Sequence, residues 1–228
     1  MKKKVNRLRV AIDGPAASGK NTLAKQIAKK YKLLHLDSGK LYRYFALQMH
    51  QSKDQKVNYA KLKQALKKLT LEKLKDKRLT TEPVTKIASV ISKKKRIRQM
   101  LKKVQHDLAY NPPKKFKGSI LDGRDIGTVI MPDAHVKVYL TASLNVRAIR
   151  RYKEYKKMGI KTTLGRVKSD IKKRDYEDTH RKISSLKPAK DAVLLDSSFY
   201  NTKAAFVKID EVIRNEIKRL NATKHKSL

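Results

Sequence analysis

The stretch Val10–Thr22, VAIDGPAASGKNT, decides how this chain folds. Val10, Ala11 and Ile12 read as a short buried strand. It runs straight into Gly14, Pro15, Ala16, Ala17, Ser18, Gly19 and Lys20, the G-x-x-x-x-G-K spacing of a phosphate-binding loop. Glycines and small residues let successive backbone N–H groups turn inward around an oxyanion, and a helix beginning near Gly19 points its positive end at the same place. Lys20 then reaches the outer phosphates, and a hydroxyl just beyond it meets the shell of a magnesium ion. Asn21 stands where Ser or Thr is usual, and Thr22 follows it. Glycine-rich turns of this shape also occur without a ligand, but the strand before it and the Leu23, Ile27, Tyr31 stripe after it favour the phosphate loop.

Working outward, Leu33 to Leu36 form a second apolar strand that ends in Asp37, Ser38 and Gly39. Strand, helix, strand opens a parallel α/β sheet, whose ligands bind beyond the carboxyl ends of the strands. Ser38, Tyr42 and Arg43 are therefore expected at the same crevice as the loop, on or near a helix spanning 39–50. Arg43 can grip a phosphate bidentately there, although singly it also fits a solvated surface arginine. A third strand, Ser119 to Leu121, ends in Asp122, Gly123, Arg124, Asp125, Ile126, Gly127 and Thr128, bringing acid, turn and guanidinium to the ligand edge. A turn with a local ion pair is the alternative.

Val136 to Leu140 supply a fourth strand, and Ser143 caps a helix with Leu144, Ala148, Tyr152 and Tyr155 on its buried side. Arg147, Arg150 and Arg151 occupy neighbouring positions with no acid until Glu154. Unpaired arginines after the fourth strand suit a transferring phosphoryl group, and a solvated basic face is the competing reading. Gly159 and Gly165 bracket a polar connection, a candidate mobile lid. Arg174, Asp178 and Arg181 share one face of the next helix. Val193 to Leu195 make a fifth strand, and Phe206, Ile209, Ile213, Ile217 and Leu220 a closing amphipathic helix, with Thr223 to Leu228 expected to fray.

Between the second and third strands the texture changes. From Ser52 to Arg78 a helical stripe of Tyr59, Leu62, Leu66 and Leu69 sits among lysines and reads as a small inserted unit. A helix over 82–92 and a basic helix carrying Ile97, Leu101, Val104 and Leu108 follow.

Length and charge bound the rest. The 228 residues hold 58 Lys plus Arg against 20 Asp plus Glu, a formal charge of +38, which favours phosphorylated ligands and polyanions. The lysines are scattered, with clusters at Lys2–Lys4, Lys93–Arg96 and Lys114–Lys117 where loops or exposed faces are expected, so compositional bias competes with RNA binding. There are no cysteines, which excludes disulfides and thiolate metal sites. MKKKVNRLR resembles a charged leader, but only Val10 to Ile12 follow before Asp13, too few for a secretory segment, and no run reaches membrane-spanning length. A soluble globular protein is expected.

The segments GPAASGKNT, LDSGKLYR, DGRDIGTVIMPDA, RDYEDTHR and LKPAKDA together resemble bacterial cytidylate kinases, and the resemblance covers nearly the whole chain. It implies an α/β P-loop NTPase-type fold: a parallel five-stranded sheet flanked by helices, one domain over 1–228 with a monophosphate-binding insertion at about 52–110 and a short lid at about 157–170. It implies transfer of the γ-phosphoryl of ATP to CMP or dCMP with Mg2+, by a cytoplasmic monomer of pyrimidine metabolism that needs no specific nucleic acid. By that likeness Gly14 to Thr22 hold ATP, and Thr22 meets the magnesium directly or through water. Ser38 and Arg43 lie at the CMP phosphate, Ser89, Arg98 and Asp125 read the cytosine, and Asp178 holds the ribose. Arg124, Arg174 and Arg181 contact phosphates. Lys20, Arg124, Arg147, Arg151 and Arg174 are the expected catalytic cations. Closure of the insertion and lid on substrate is a further expectation. A basic RNA-acting P-loop protein and a kinase with another acceptor, such as UMP, remain the alternatives.

Overall fold

The computed structural model describes residues 7–51 and 57–225. The start of the expected insertion at Ser52 and the Lys2–Lys4 cluster lie outside the described residues. The elements in order are β1 (Leu8–Asp13), α1 (Lys20–Tyr31), β2 (Leu34–Asp37), α2 (Ser38–His50), α3 (Tyr59–Lys67), α4 (Glu82–Ile91), α5 (Lys95–Tyr110), β3 (Gly118–Gly123), β4 (Val136–Thr141), α6 (Leu144–Lys157), α7 (Leu164–His180), β5 (Val193–Asp196) and α8 (Thr202–His225).

Two compact units result, one from residues up to Leu36 together with those from Leu108 onward, the other Asp37–Asp107. The first contains the sheet, ordered β2-β3-β1-β4-β5, with β1 at its centre pairing in parallel with β3 and β4, and β4 in parallel with β5. The register sets Asp13 beside Gly123 of β3 and Tyr139 of β4, so the strands deliver their carboxyl ends to one edge. Both faces of β1 and β3 are covered, which is why Val10–Ile12 and Ile120–Leu121 are apolar at successive positions rather than alternating. On one face Leu23 and Ile27 of α1 and Ile209 and Ile213 of α8 pack with Val10, Ile12, Ile120 and Val138. Each such fully buried side chain contributes roughly 1.5–3 kcal/mol of burial free energy.

Departures from the sequence reading have local causes. The helix from Leu164 is capped by Thr163, whose hydroxyl accepts the Arg166 N–H, so Gly165 lies in its first turn and the polar connection shortens to 158–163. Val193 and Leu194 of β5 are exposed, and only Leu195 of that strand is buried, because this strand pairs with β4 alone among the described residues. The turn over 126–130, expected as loop, is π-helical. The last helix persists through His225, so the fraying expected from Thr223 does not begin there, and 226–228 lie outside the described residues.

The second unit takes in α2 with the expected insertion. Leu41, Phe45, Leu62, Leu79, Ile91, Ile97 and Leu101 are the largest of its fully buried side chains among the described residues. Its helix from Tyr59 stops at Lys67, short of Leu69, and the chain continues in 3-10 turns, one of them capped where the Asp76 carboxylate accepts the Arg78 N–H at 2.8 Å.

Candidate active site

The phosphate loop is shaped by two glycines. At Gly14, φ is 151°, and a Cβ there would lie 1.9 Å from the Leu140 carbonyl of β4. Gly19 closes the loop at φ 93°, capping α1, with Ala17 at φ 58° between them. Lys20 is buried at the helix start and donates from Nζ to the Pro15 carbonyl at 2.8 Å and to Ser18 Oγ at 3.3 Å, spanning the loop it closes. Burial pushes its ammonium well below the ordinary lysine range, and the nearby Arg124 and Arg174 push further, against the carboxylates of Asp122 and Asp13. Asn21 is half-buried and Thr22 exposed on the first turn of α1.

Asp13, the residue between strand and loop, is buried and accepts the N–H groups of Ile126 at 2.8 Å and Gly127 at 2.7 Å. This fixes the turn that follows β3 and carries Asp125, also buried. Desolvation raises the Asp13 carboxyl to about 6 despite those two N–H donors. Next to this turn, Arg124 Nε donates to Asp178 Oδ2 at 2.7 Å, and Arg181 Nη1 donates to Asp178 Oδ1 at 3.3 Å. Burial alone would raise the Asp178 carboxyl, but Arg124 and Arg174 hold it below the usual carboxylate range. Arg124, Arg174, Asp178 and Arg181 are thus one electrostatic group, although Arg181 itself caps α7 rather than continuing it.

The three arginines of α6 diverge and are partnered, contrary to the expectation of an unpaired cluster. Arg147 is buried: Nε donates to the Ala142 carbonyl at 2.7 Å, and Nη1 to the Ala16 carbonyl at 3.2 Å and to the Asp175 carboxylate. Arg150 ties the Ser18 carbonyl to Ser197 in the turn after β5. Arg151 pairs with Glu154 at 3.2 Å and lies 5.7 Å from the Tyr155 ring. Glu154 lies one turn on along the same helix, whereas the partners of Arg147 and Arg150 come from distant parts of the chain.

Within the second unit, Ser38 is buried at the first position of α2 and Arg43 approaches Asp37 at 3.7 Å. Arg98 is buried over the Tyr42 ring, 5.6 Å from its centroid, and donates to the Ser92 carbonyl at 3.1 Å. Ser92 Oγ in turn donates to the carbonyl of Ser89 at 2.8 Å, so Ser89 and Arg98, singled out only by likeness, are linked through one residue.

The family model described as Cytidylate kinase matches residues 10–219. The chain belongs to the cytidylate kinase family. Curated relatives that carry that name include the following three. The one from Rhodopseudomonas palustris strain TIE-1 is 41% identical, covering 90% of this chain and 96% of its own length. The one from Bradyrhizobium diazoefficiens is 45% identical over 83% and 87%. That of Streptococcus mutans is 38% identical over 93% and 98%. Among solved structures, an uncharacterized protein from Eubacterium ventriosum superposes at a TM-score of 0.51 with 13% identity, covering 91% of this chain and 98% of its own, a likeness of fold.

For a cytidylate kinase family member, two residues of the site were not anticipated. Asp13 carries a signal, as a lone carboxylate ending an apolar strand beside the loop. Asp175 lies three positions before Asp178 and four after the buried Ile171, so helical spacing alone places it on the inner face of α7.

Proposed function

We propose that the chain transfers the γ-phosphoryl group of ATP to CMP or dCMP, giving ADP and CDP or dCDP. The observation that carries this is Lys20, buried at the start of α1 and donating to the Pro15 carbonyl and Ser18 Oγ across the phosphate loop, with Arg124 and Arg174 near enough to oppose its charge. Phosphoryl transfer needs little covalent chemistry from the protein. It needs the donor and acceptor held in line and positive charge around the moving group.

The loop amides of Gly14 to Thr22 and Lys20 hold the donor phosphates. Arg124, at the acceptor phosphate, and Arg174 meet the transferring group, and Arg151 is assigned with them as a further cation. Arg147, expected with these cations, has its guanidinium engaged by Ala142, Ala16 and Asp175 and is assigned to holding the loop. On the first unit Arg181 and Asp178 serve the acceptor's phosphate and ribose, and Asp125 its base. On the second, Ser38 and Arg43 offer groups to the acceptor phosphate, and Ser89 and Arg98 to the cytosine.

Magnesium fits the donor set in a limited way. No group of three His, Cys, Asp or Glu side chains among the described residues forms a metal cage. Hard oxygens near Lys20 come from Asp13 and Asp122, with the Thr22 hydroxyl on the first turn of α1. Such a set suits an ion held chiefly by nucleotide phosphates and water. When bound, the ion would neutralise phosphate charge. The chain's own residues bind, orient and screen the two nucleotides. No helix among the described residues is long and apolar enough to cross a membrane. A cytoplasmic monomer acting on free nucleotides completes the reading.

The test is ADP formation from ATP and magnesium with CMP, dCMP, UMP and AMP in turn, using Lys20→Ala and Asp125→Ala. Turnover of CMP and dCMP, lost in both variants, supports the assignment. No turnover with any monophosphate, but ADP release stimulated by RNA, would overturn it.

A further inference from the structure

Helix α7 carries two carboxylates one turn apart that face different business. Asp178 holds Arg124 and Arg181, the groups assigned to the acceptor. Asp175 reaches the other way: its Oδ1 accepts the backbone N–H of Ala16, in the phosphate loop, at 3.2 Å. Its other oxygen is paired with Arg147, which also holds the Ala16 carbonyl. Both polar groups of that loop residue are therefore gripped by one ion pair. Ala16 is buried with Ala148 of α6 and with Val167 and Ile171 of α7, so the loop tip is packed against the same helix as well as hydrogen-bonded to it.

We infer that Asp175 is a positioning residue that couples the two nucleotide sites, transmitting acceptor binding at Arg124, Asp178 and Arg181 to the phosphate loop through α7. A helix is stiff over one turn, so a shift at Asp178 on meeting the acceptor moves Asp175 with it. The Ala16 peptide, held at both its N–H and its carbonyl, must follow or lose a charge-assisted bond. Coupling of this kind is reciprocal: each nucleotide changes the affinity for the other by the same factor. The Arg147–Asp175 pair also explains why an arginine buried beside the loop is not itself aimed at phosphate. The inference rests on the donor and acceptor assignments above.

The experiment is calorimetric titration of a non-hydrolysable ATP analogue into the full chain with and without saturating CMP, and the reverse titration. In the native chain each ligand should tighten the other about fivefold or more, the lower end of ordinary coupling. In Asp175→Asn, which keeps the shape but not the charge, the factor should fall below about twofold, whatever the affinity of either ligand alone. A native coupling factor of one, or a factor unchanged in Asp175→Asn, overturns the inference. If CMP fails to bind the native chain, the acceptor assignment falls, and the inference with it. A measurement on the native chain alone guards against a variant that folds poorly. The Ala16 amide resonance should move when CMP is added without any ATP analogue, and an unmoved resonance with CMP bound contradicts the coupling.

Discussion

Asp13 accepts the backbone N–H of Gly127 at 2.7 Å, joining the end of the central strand to the turn that presents Asp125. The same carboxylate takes the N–H of Ile126, so one side chain satisfies two donors that would otherwise be buried without partners. It also stands immediately before Gly14, and any displacement of the turn is felt at the loop.

The ionisation of this group gives a stability signature. Burial raises the Asp13 carboxyl from 3.8 to about 6. A carboxyl whose folded value lies above its unfolded one is stabilising while protonated. Its contribution is full below 3.8 and is lost as the pH rises through about 6. Urea unfolding of the ligand-free chain and of Asp13→Asn should therefore diverge with pH. Between those two values the native chain should lose on the order of 3 kcal/mol relative to the variant, two units at about 1.36 kcal/mol each. Parallel pH dependences would show that Asp13 ionises normally.

Gly14 and Gly19 should differ sharply when each is replaced by Ala. At Gly14 the new methyl would sit 1.9 Å from the Leu140 carbonyl, backbone in the pairing partner of β1, and cannot be relieved by a side-chain rotation. Gly14→Ala should cost more than about 4 kcal/mol or fail to fold. At Gly19 a Cβ meets nothing within 4 Å, so only its positive φ is at issue. Gly19→Ala should cost about 1–3 kcal/mol and fold. Similar midpoints in urea would contradict this account of the loop.

The strands, the loop and the helix faces were legible because they follow local rules: apolar runs, a glycine spacing, a period of 3.6. The partners of the site were not. Asp13 meets Ile126 across 113 positions, and Asp175 meets Ala16 across 159. Neither distance leaves a trace in local periodicity. Arg147 shows the consequence most plainly, since its neighbours along α6 offer no acid while its true partner comes from α7. Ser89 and Arg98 came from likeness alone, and the link through Ser92 depends on the turn between α4 and α5, which no pattern announced. Thr22 offers a hydroxyl just after the loop lysine, and its exposure follows only once the helix start is fixed at Lys20.

Discrimination between CMP and UMP should depend on Asp125. It is buried on the turn held by Asp13 and can accept from the exocyclic amine of cytosine, which uracil lacks. With UMP the carboxylate loses that donor, and kcat/KM should fall on the order of 10-fold or more. Asp125→Ala should lower CMP turnover and shrink the ratio between the two acceptors. A variant that loses activity but keeps the native ratio would move the base-reading role elsewhere.

Lys20 should take up a proton when the donor binds. In the ligand-free chain its ammonium is disfavoured first by burial and then by Arg124 and Arg174. A lysine whose folded value is lowered contributes stability that is present above its unfolded value and lost as the pH falls through the folded one, because the charge must then be buried. Polyphosphate reverses the balance. Several negative charges arrive beside Nζ, favour the ammonium and offset the two arginines. Binding of an ATP analogue in the alkaline range should therefore consume protons and weaken as the pH rises. Calorimetry in two buffers of different ionisation enthalpy reads that uptake directly, and Lys20→Met should abolish it. Heats independent of the buffer in the native chain would mean that Lys20 is already fully charged before the nucleotide arrives, and that the loop, Asp13 and Asp122 outweigh its burial.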